Sequence, residues 1–225
     1  MKRFDMHIHT KESSECGKLC AKEIVDLYRN AGYDGFVVTD HCIPRYRKKY
    51  DSEAEMLRIQ PQGYYAAKSY ADTVGFTVLY GCELRFTEAS RTDFLVYGIT
   101  PDYLSAHPGL MDMSIVDGIT LLQNDGALVY QAHPFRNEMQ IVNPEILDGI
   151  EVYNGHTGYD SRNEFAFLWA KKYGLRAISG SDFHKVCDLA HGGLLLPDDL
   201  TDEKSLLAAL KNESYQLIID PQTLV

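Results

Sequence analysis

Short apolar runs alternate along this chain with longer segments whose apolar positions recur at helical spacing. The runs predict strands at 4–9, 35–39, 76–80, 93–99, 127–131, 149–153, 176–179 and 216–220. The longer segments predict helices at 19–31, 61–74, 114–124, 160–173 and 201–211. In the first of these, Ile24, Val25, Leu27 and Tyr28 share one face and Gly32 is the stop. Asp125-Gly126 and Gly174 end two others, and Thr201 is the expected N-cap of the last. Repeated strand–helix alternation predicts parallel strands joined by right-handed crossovers. The number of units favours a closed α/β barrel over an open sheet, with chemistry at the C-terminal strand ends. A glycine-rich phosphate loop, which a dinucleotide-binding sheet would need, is missing. The polar stretch 43–65, rich in Arg, Lys and Tyr, is expected to be a loop over the site. No internal repeat or low-complexity linker interrupts the pattern, so residues 1–225 are expected to form one domain.

Composition narrows this little. Apolar residues make up 45% and charged residues 24%, as in ordinary water-soluble domains. The net charge of −10 disfavours a general nucleic-acid-binding surface, because phosphate backbones are held by Lys and Arg. A small phosphorylated substrate remains open, since bound metal supplies positive charge locally. Met1-Lys2-Arg3 runs directly into the first strand, without the apolar region of a secretion signal, and no apolar run is long enough for a membrane span. Five scattered cysteines (Cys16, Cys20, Cys42, Cys82, Cys187) fit reduced thiols, so a cytoplasmic location with no membrane contact is expected. Cys16 and Cys20 are expected to be ordinary loop and helix-start residues.

The candidate chemistry lies at the ends of the apolar runs. His7 and His9 stand in Asp5-Met-His-Ile-His-Thr10, His41 in Thr39-Asp-His41, and Glu83 in Gly81-Cys-Glu83. His133 precedes Pro134, and Asp182 and His184 stand in Gly180-Ser-Asp-Phe-His184. Strand periodicity predicts that His7 and His9 project together with Asp5 behind them, while Phe4, Met6 and Ile8 face packing helices. Asp182 and His184 repeat that spacing, and in a barrel the two pairs become neighbours. Each element alone is weak, but five of the eight histidines fall at predicted strand ends. Imidazoles and carboxylates gathered in this way predict a site for divalent metals and hydrolytic chemistry. His107 reads as a solvated loop residue, whereas the loops carrying His156 and His191 border the expected pocket.

In this order the motifs resemble the PHP (polymerase and histidinol phosphatase) family. The matching elements are those just given together with Val38-Thr-Asp-His41, Ala132-His-Pro134 and Glu151-Val-Tyr-Asn154. The resemblance spans roughly residues 3–196 and implies a distorted (β/α)7 barrel with two or three divalent ions (Mn, Fe or Zn) at the strand ends. It also implies metal-dependent hydrolysis of a phosphomonoester or small phosphodiester by a metal-activated water. His7, His9, Glu83 and Asp182 look like ligands of one ion, His41 and His184 of a second, and Glu83 with His133 of a third. Two positions depart from the family pattern: Glu15 stands where His or Asp is common, and Asp93 where His is common. Both are carried as metal ligands, and the added oxygen donors lean toward Mn²⁺ or Fe²⁺ over Zn²⁺. His41 and His184 are also the candidate proton donors to the leaving group. Arg136 is the first candidate for binding the substrate phosphate and Lys185 the second, with Arg45 and Arg47 reaching a distal part. Two other readings compete: an amidohydrolase-type enzyme acting on a C–N bond, and a non-catalytic metal-binding module.

Overall fold

Helix and strand alternate through most of the chain, as the periodicity predicts. The structure is a computed structural model and describes residues 1–89 and 91–219. The strands are β1 (Lys2–Ile8), β2 (Gly35–Val38), β3 (His41–Cys42), β4 (Thr77–Leu84), β5 (Phe94–Tyr97), β6 (Leu128–Gln131), β7 (Gly149–Asn154), β8 (Arg176–Gly180), β9 (Gly192–Leu196) and β10 (Gln216–Ile219). Between them lie α1 (Ala21–Asn30), α2 (Glu53–Ile59), α3 (Gln62–Val74), α4 (Tyr103–Ala106), α5 (Ile115–Asn124), α6 (Asn163–Tyr173) and α7 (Glu203–Lys211). Asp220, the last residue of the strand expected at 216–220, lies outside the described residues. No helix among the described residues is long and apolar enough to cross a membrane.

The sheet runs β10-β9-β1-β2-β4-β5-β6-β7-β8, with β3 paired to β4 off this path. It is mixed, which corrects the all-parallel expectation. β1, β2 and β4 are parallel, as are β6, β7 and β8. β5 is antiparallel to both β4 and β6, and β9 is antiparallel to both β1 and β10. Among the described residues between β4 and β5 there is no crossover helix. The chain therefore turns back on itself there, and regular (β/α)7 alternation is broken. β1 shares one edge between two partners: its first residues pair with β9, while Ile8 forms a parallel bridge with Phe183, just past β8. His9 N donates to Phe183 O (3.0 Å) and Phe183 N to His7 O (3.0 Å). The sheet is thus nearly closed into a barrel, and the closing contact falls where Asp182 and His184 meet His7 and His9.

Phe4, Met6, Val37, Leu79, Tyr97 and Tyr130 meet in an inner cluster, which Leu206 and Leu210 of α7 also join. Side chains contributed by so many different strands can meet only inside the barrel. Outside it, Ile8, Phe36 and Val38 pack on Ile24, Val25 and Tyr28 of α1 and on Ala67 and Ala71 of α3. The stretch expected as a loop at 43–65 is largely helical: a 3-10 turn over Pro44–Lys49, then α2, then the start of α3. The Ser52 hydroxyl caps α2 by accepting from Glu55 N (3.1 Å). The N-cap of α7 is Asp202, not Thr201, with the Asp202 carboxylate accepting from Ser205 N (2.8 Å).

Candidate metal centre

The first strand does not keep its alternation. β1 and β2 pair Asp5 with Phe36 but Ile8 with Val38, so β1 carries an extra residue, a β-bulge, between Asp5 and Ile8. Before the bulge Phe4 and Met6 point inward, and Asp5 points out to α1, where its carboxylate accepts from the Tyr28 hydroxyl (2.8 Å). After it, Ile8 packs outward, while His7 and His9 turn into the site. This corrects the expected facing of Asp5, Phe4 and Met6. β7 has a matching irregularity between Glu151 and Tyr153, and Glu151 lies directly against His7.

Hydrogen bonds set the imidazole tautomers. His7 Nδ1 lies 2.9 Å from Glu151 Oε1, so the ring hydrogen sits on Nδ1 and the Nε2 lone pair is free. His9 Nδ1 faces Ser14 Oγ at 3.4 Å, and that hydroxyl donates to Asp40 Oδ1 (2.6 Å). Ser14 therefore accepts from His9 Nδ1, leaving His9 Nε2 also as a lone pair. The two Nε2 atoms face each other at 3.1 Å, with Asp182 Oδ1 at 3.4 Å from both and Glu83 Oε2 at 3.2 Å from His9. Lone pairs and carboxylates so arranged repel one another unless a proton or a cation stands between them. Without a cation, protons must serve. Burial lowers the His9 pKa, but hydrogen bonds with Asp182 and Glu83 outweigh it and push the group up to about 9. His7 is likewise driven well up, against burial, by the charges of Asp182, Glu151 and Glu83.

The other ligand-type atoms surround this pair. Glu83 and His41 lie side by side across β3 and β4. His41 Nδ1 and Glu83 Oε2 are 2.7 Å apart, yet neither atom, both buried, has a well-angled hydrogen bond among the described residues. The second Glu83 oxygen is 3.1 Å from His133 Nε2. Burial pushes the Glu83 carboxyl up, but the charges of His41 and His7 more than reverse this and hold it well below the usual range. Asp182 is held low in the same way by His7, Arg136 and His184. His184 Nδ1 donates to the Asp182 carbonyl (2.8 Å), and burial lowers its pKa to about 3. Without metal, its Nε2 is therefore an acceptor at neutral pH. His133 and Asp182 both hold left-handed backbone, with φ of 28° and 53°. Non-glycine residues in that region store strain on the order of 1–3 kcal/mol each and tend to mark sites of function.

The structure brings together most of the residues singled out from sequence. Ligand atoms of His7, His9 and Glu83 lie within 4.8 Å of one another, as do those of His7, His133 and Asp182, and of Glu83, Asp93 and His133. Asp93 is buried, but Arg85 grips both its oxygens (2.6 and 2.7 Å). Glu15 is not brought in: its half-exposed carboxylate pairs with Arg45 and Lys49. Its neighbour Cys16 is, joining His9, His41 and His184 in a fourth such group. Arg136 is partly buried, donating to Asp182 Oδ2 (2.7 Å) and Asn154 Oδ1 (2.8 Å). Lys185 is exposed and does not line the cavity described below. Arg47 is tied to Asp112 and Glu53. His107 lies away from the site against Tyr103, whereas His156 groups with His184 and Asp188. His191 contacts the Gly155 carbonyl (3.3 Å).

Sequence reasoning gave Glu151 and Asn154 no role, although both stand in a motif it quoted. Glu151 Oε2 accepts from His133 N and Asn154 Nδ2 (2.9 Å each), so one carboxylate orients two of the imidazole-bearing segments. The available signal was a charged residue inside an otherwise apolar strand. Asp5, expected to set a tautomer, instead ties backbone: it accepts from His7 N (3.1 Å) and Ser181 N (3.0 Å).

A cavity of about 830 Å³ opens over these groups, lined by His41, Glu83, His133, Asp182 and His184 and by four arginines: Arg45, Arg85, Arg91 and Arg136. The donor set fits divalent cations. It combines imidazole nitrogens with carboxylates, and it includes the buried atoms His41 Nδ1, Glu83 Oε2 and His133 Nδ1, which have no well-angled hydrogen-bond partner among the described residues. The fold and this cluster define a mixed, barrel-like α/β protein with side chains suited to divalent metal.

Comparison with known proteins agrees. The family model described as PHP-associated matches residues 160–215. A two-domain protein from Bacteroides vulgatus, containing a predicted PHP-like metal-dependent phosphoesterase, superposes with a TM-score of 0.69 at 18% identity. That alignment covers 97% of this chain and 64% of the other, so this chain spans less than two thirds of that protein. A candidate metal-dependent phosphoesterase from Bifidobacterium adolescentis gives a TM-score of 0.54 at 16% identity, over 92% of this chain and 95% of that one. An amidohydrolase from Chromobacterium violaceum, solved with bound sulfate and no metal, gives 0.58 at 18% identity, over 96% and 97%. No curated protein matches the sequence significantly. The family match is confined to residues 160–215, and over the rest of the chain the likeness to these structures is one of fold.

Proposed function

We propose that this chain is a metal-dependent hydrolase of phosphoesters, monoester or small diester. His7, His9, Glu83 and Asp182 would hold one divalent ion. His41 and His184 would hold a second, and Glu83 with His133 and Asp93 a third. The observation that carries this reading is the pair of imidazole lone pairs, His7 and His9, facing each other among carboxylates at the edge of an arginine-lined cavity. Divalent ions bound there supply Lewis-acid polarisation of the phosphoryl group and lower the pKa of a bound water.

The chain's own residues do the rest. Glu151 and Ser14 hold the two imidazoles in the ligating tautomer. Arg136 keeps Asp182 in place and lines the cavity, where its guanidinium would face a phosphoryl oxygen. Four guanidinium groups line the cavity, each paired with a carboxylate (Glu15, Asp93, Glu138 or Asp182), and with divalent metal taking up lining carboxylates they would favour an anionic substrate over a neutral amide. The test is a substrate screen with Mn²⁺- and Zn²⁺-loaded protein, setting phosphate or alcohol release from phosphoesters against opening of cyclic amides. Phosphoester turnover abolished by a chelator and restored by metal is expected. Chelator-resistant turnover, or turnover of amides alone, overturns the proposal.

A further inference from the structure

We infer that Cys16 is a metal ligand, its thiolate joining His41 and His184 on the second ion of the cluster, beside His9. The inference rests on the reading of the cluster as a metal centre and adds a donor that neither the sequence nor the comparisons assign. One ligand atom from each of these four residues lies within 4.8 Å of the others. Cys16 also lines the cavity as a free thiol. Its backbone is fixed from both sides: Glu15 N donates to the Tyr46 hydroxyl (3.0 Å), and Lys18 N donates to the carbonyl of His184 itself (2.8 Å). The segment bearing the thiol is thereby bolted to one of the imidazole-bearing segments.

A second observation points to a cation at this position. Glu83 Oε2 is buried and has no well-angled hydrogen bond among the described residues, although it lies 2.7 Å from His41 Nδ1 and 3.2 Å from His9 Nε2. The carboxylate expected to supply the extra donor, Glu15, is turned out to Arg45 and Lys49. The loop therefore presents sulfur where the sequence pattern anticipated oxygen. Binding replaces the Cys16 S–H bond with an S–metal bond, and the proton leaves to solvent. Soft thiolate with imidazole selects Zn²⁺ over Mn²⁺ or Mg²⁺, reversing the preference an oxygen-rich set would give.

Cobalt(II) loading of the full chain tests this without recourse to activity. Wild-type protein should show visible d–d bands together with a sulfur-to-cobalt charge-transfer band in the near ultraviolet. Cys16→Ser should abolish the charge-transfer band, while Glu15→Gln and Cys187→Ser leave it intact. Cys16→Asp should bind cobalt without that band and shift Zn²⁺/Mn²⁺ competition toward Mn²⁺ by about tenfold or more. Wild-type protein with bound cobalt, shown by its d–d bands, but no charge-transfer band overturns the inference and leaves the metal-centre reading standing. So does a charge-transfer band that survives in Cys16→Ser. Wild-type protein that takes up no cobalt at all overturns both.

Discussion

Glu151 bears more of the site than its sequence position discloses. One oxygen fixes the His7 tautomer, and the other holds the His133 amide and the Asn154 side chain. Removing such a partner typically weakens metal binding about 10–100-fold, because the ligand loses both its orientation and its basicity. Glu151→Ala is therefore expected to lower metal affinity by about that factor, and Glu151→Gln by less, since an amide oxygen still accepts from His7 Nδ1. Competition against a fluorescent chelator measures this. Affinity unchanged in Glu151→Ala would remove Glu151 from the account. At this scale the sequence was legible for side chains that gather as candidate ligands and poorly legible for those that orient them. His7, His9, His41, Glu83, His133, Asp182 and His184 all converge, because their positions follow from strand ends. Cys16 lies near the cluster and Glu15 turns away from it because residues 10–19 form an irregular turn with no period to read. Ser14 N bonds back to Thr10 O and Gly17 N to Ser14 O. That winding decides which of two adjacent side chains faces inward.

At the scale of elements, the first strand shows what periodicity supplies and what it omits. Alternation locates β1 and its two histidines, but it cannot register an inserted residue. The bulge between Asp5 and Ile8 reverses the facing of Asp5, Phe4 and Met6. The helices within 43–65 escaped for a different reason. α2 buries only Met56 and Leu57 on its inner side, too little apolar character to stand out in a run of charges and tyrosines. β9 is a short Gly-Gly-Leu-Leu-Leu run whose strand state depends on pairing with β1 and β10. Where strands meet at the site, glycine makes the fit. A Cβ on Gly180, at the end of β8, would lie 2.6 Å from His7 Cβ and 2.9 Å from Glu151 Oε1. Gly180→Ala should thus push apart the pair that fixes the His7 tautomer. Overpacking of this kind costs about 1–3 kcal/mol. For a chain of this size each such kcal/mol lowers Tm by about 2–4 °C. A lower Tm together with weaker metal binding is expected by calorimetry and metal titration. Wild-type values for both would show that β8 can shift away from β1 at no cost.

Over the whole molecule, the acidic charge and the buried cluster are coupled through protons. Without metal, His9 is pushed up to about 9 by its hydrogen bonds to Asp182 and Glu83 against the opposing effect of burial, and burial pushes Asp5 up to about 6. Both groups bind protons more tightly when folded than when unfolded. The contribution of Asp5 is full below about pH 4 and is lost as pH rises through 6. That of His9 is full below about pH 6.5 and is lost as pH rises through 9. Metal-free protein should therefore lose stability steadily from pH 6.5 to 9. Divalent metal competes with those same protons for the His7 and His9 lone pairs, so its affinity rises over the same interval. Its stabilisation of the folded state grows with that affinity. Two melting series, one with a chelator and one with saturating Zn²⁺, should accordingly diverge, the gap in Tm widening from pH 6.5 to 9. Parallel curves would mean that metal and protons do not share the imidazoles. The cluster would then be an ordinary buried ion-pair network, and the barrel would have gathered these side chains for stability alone.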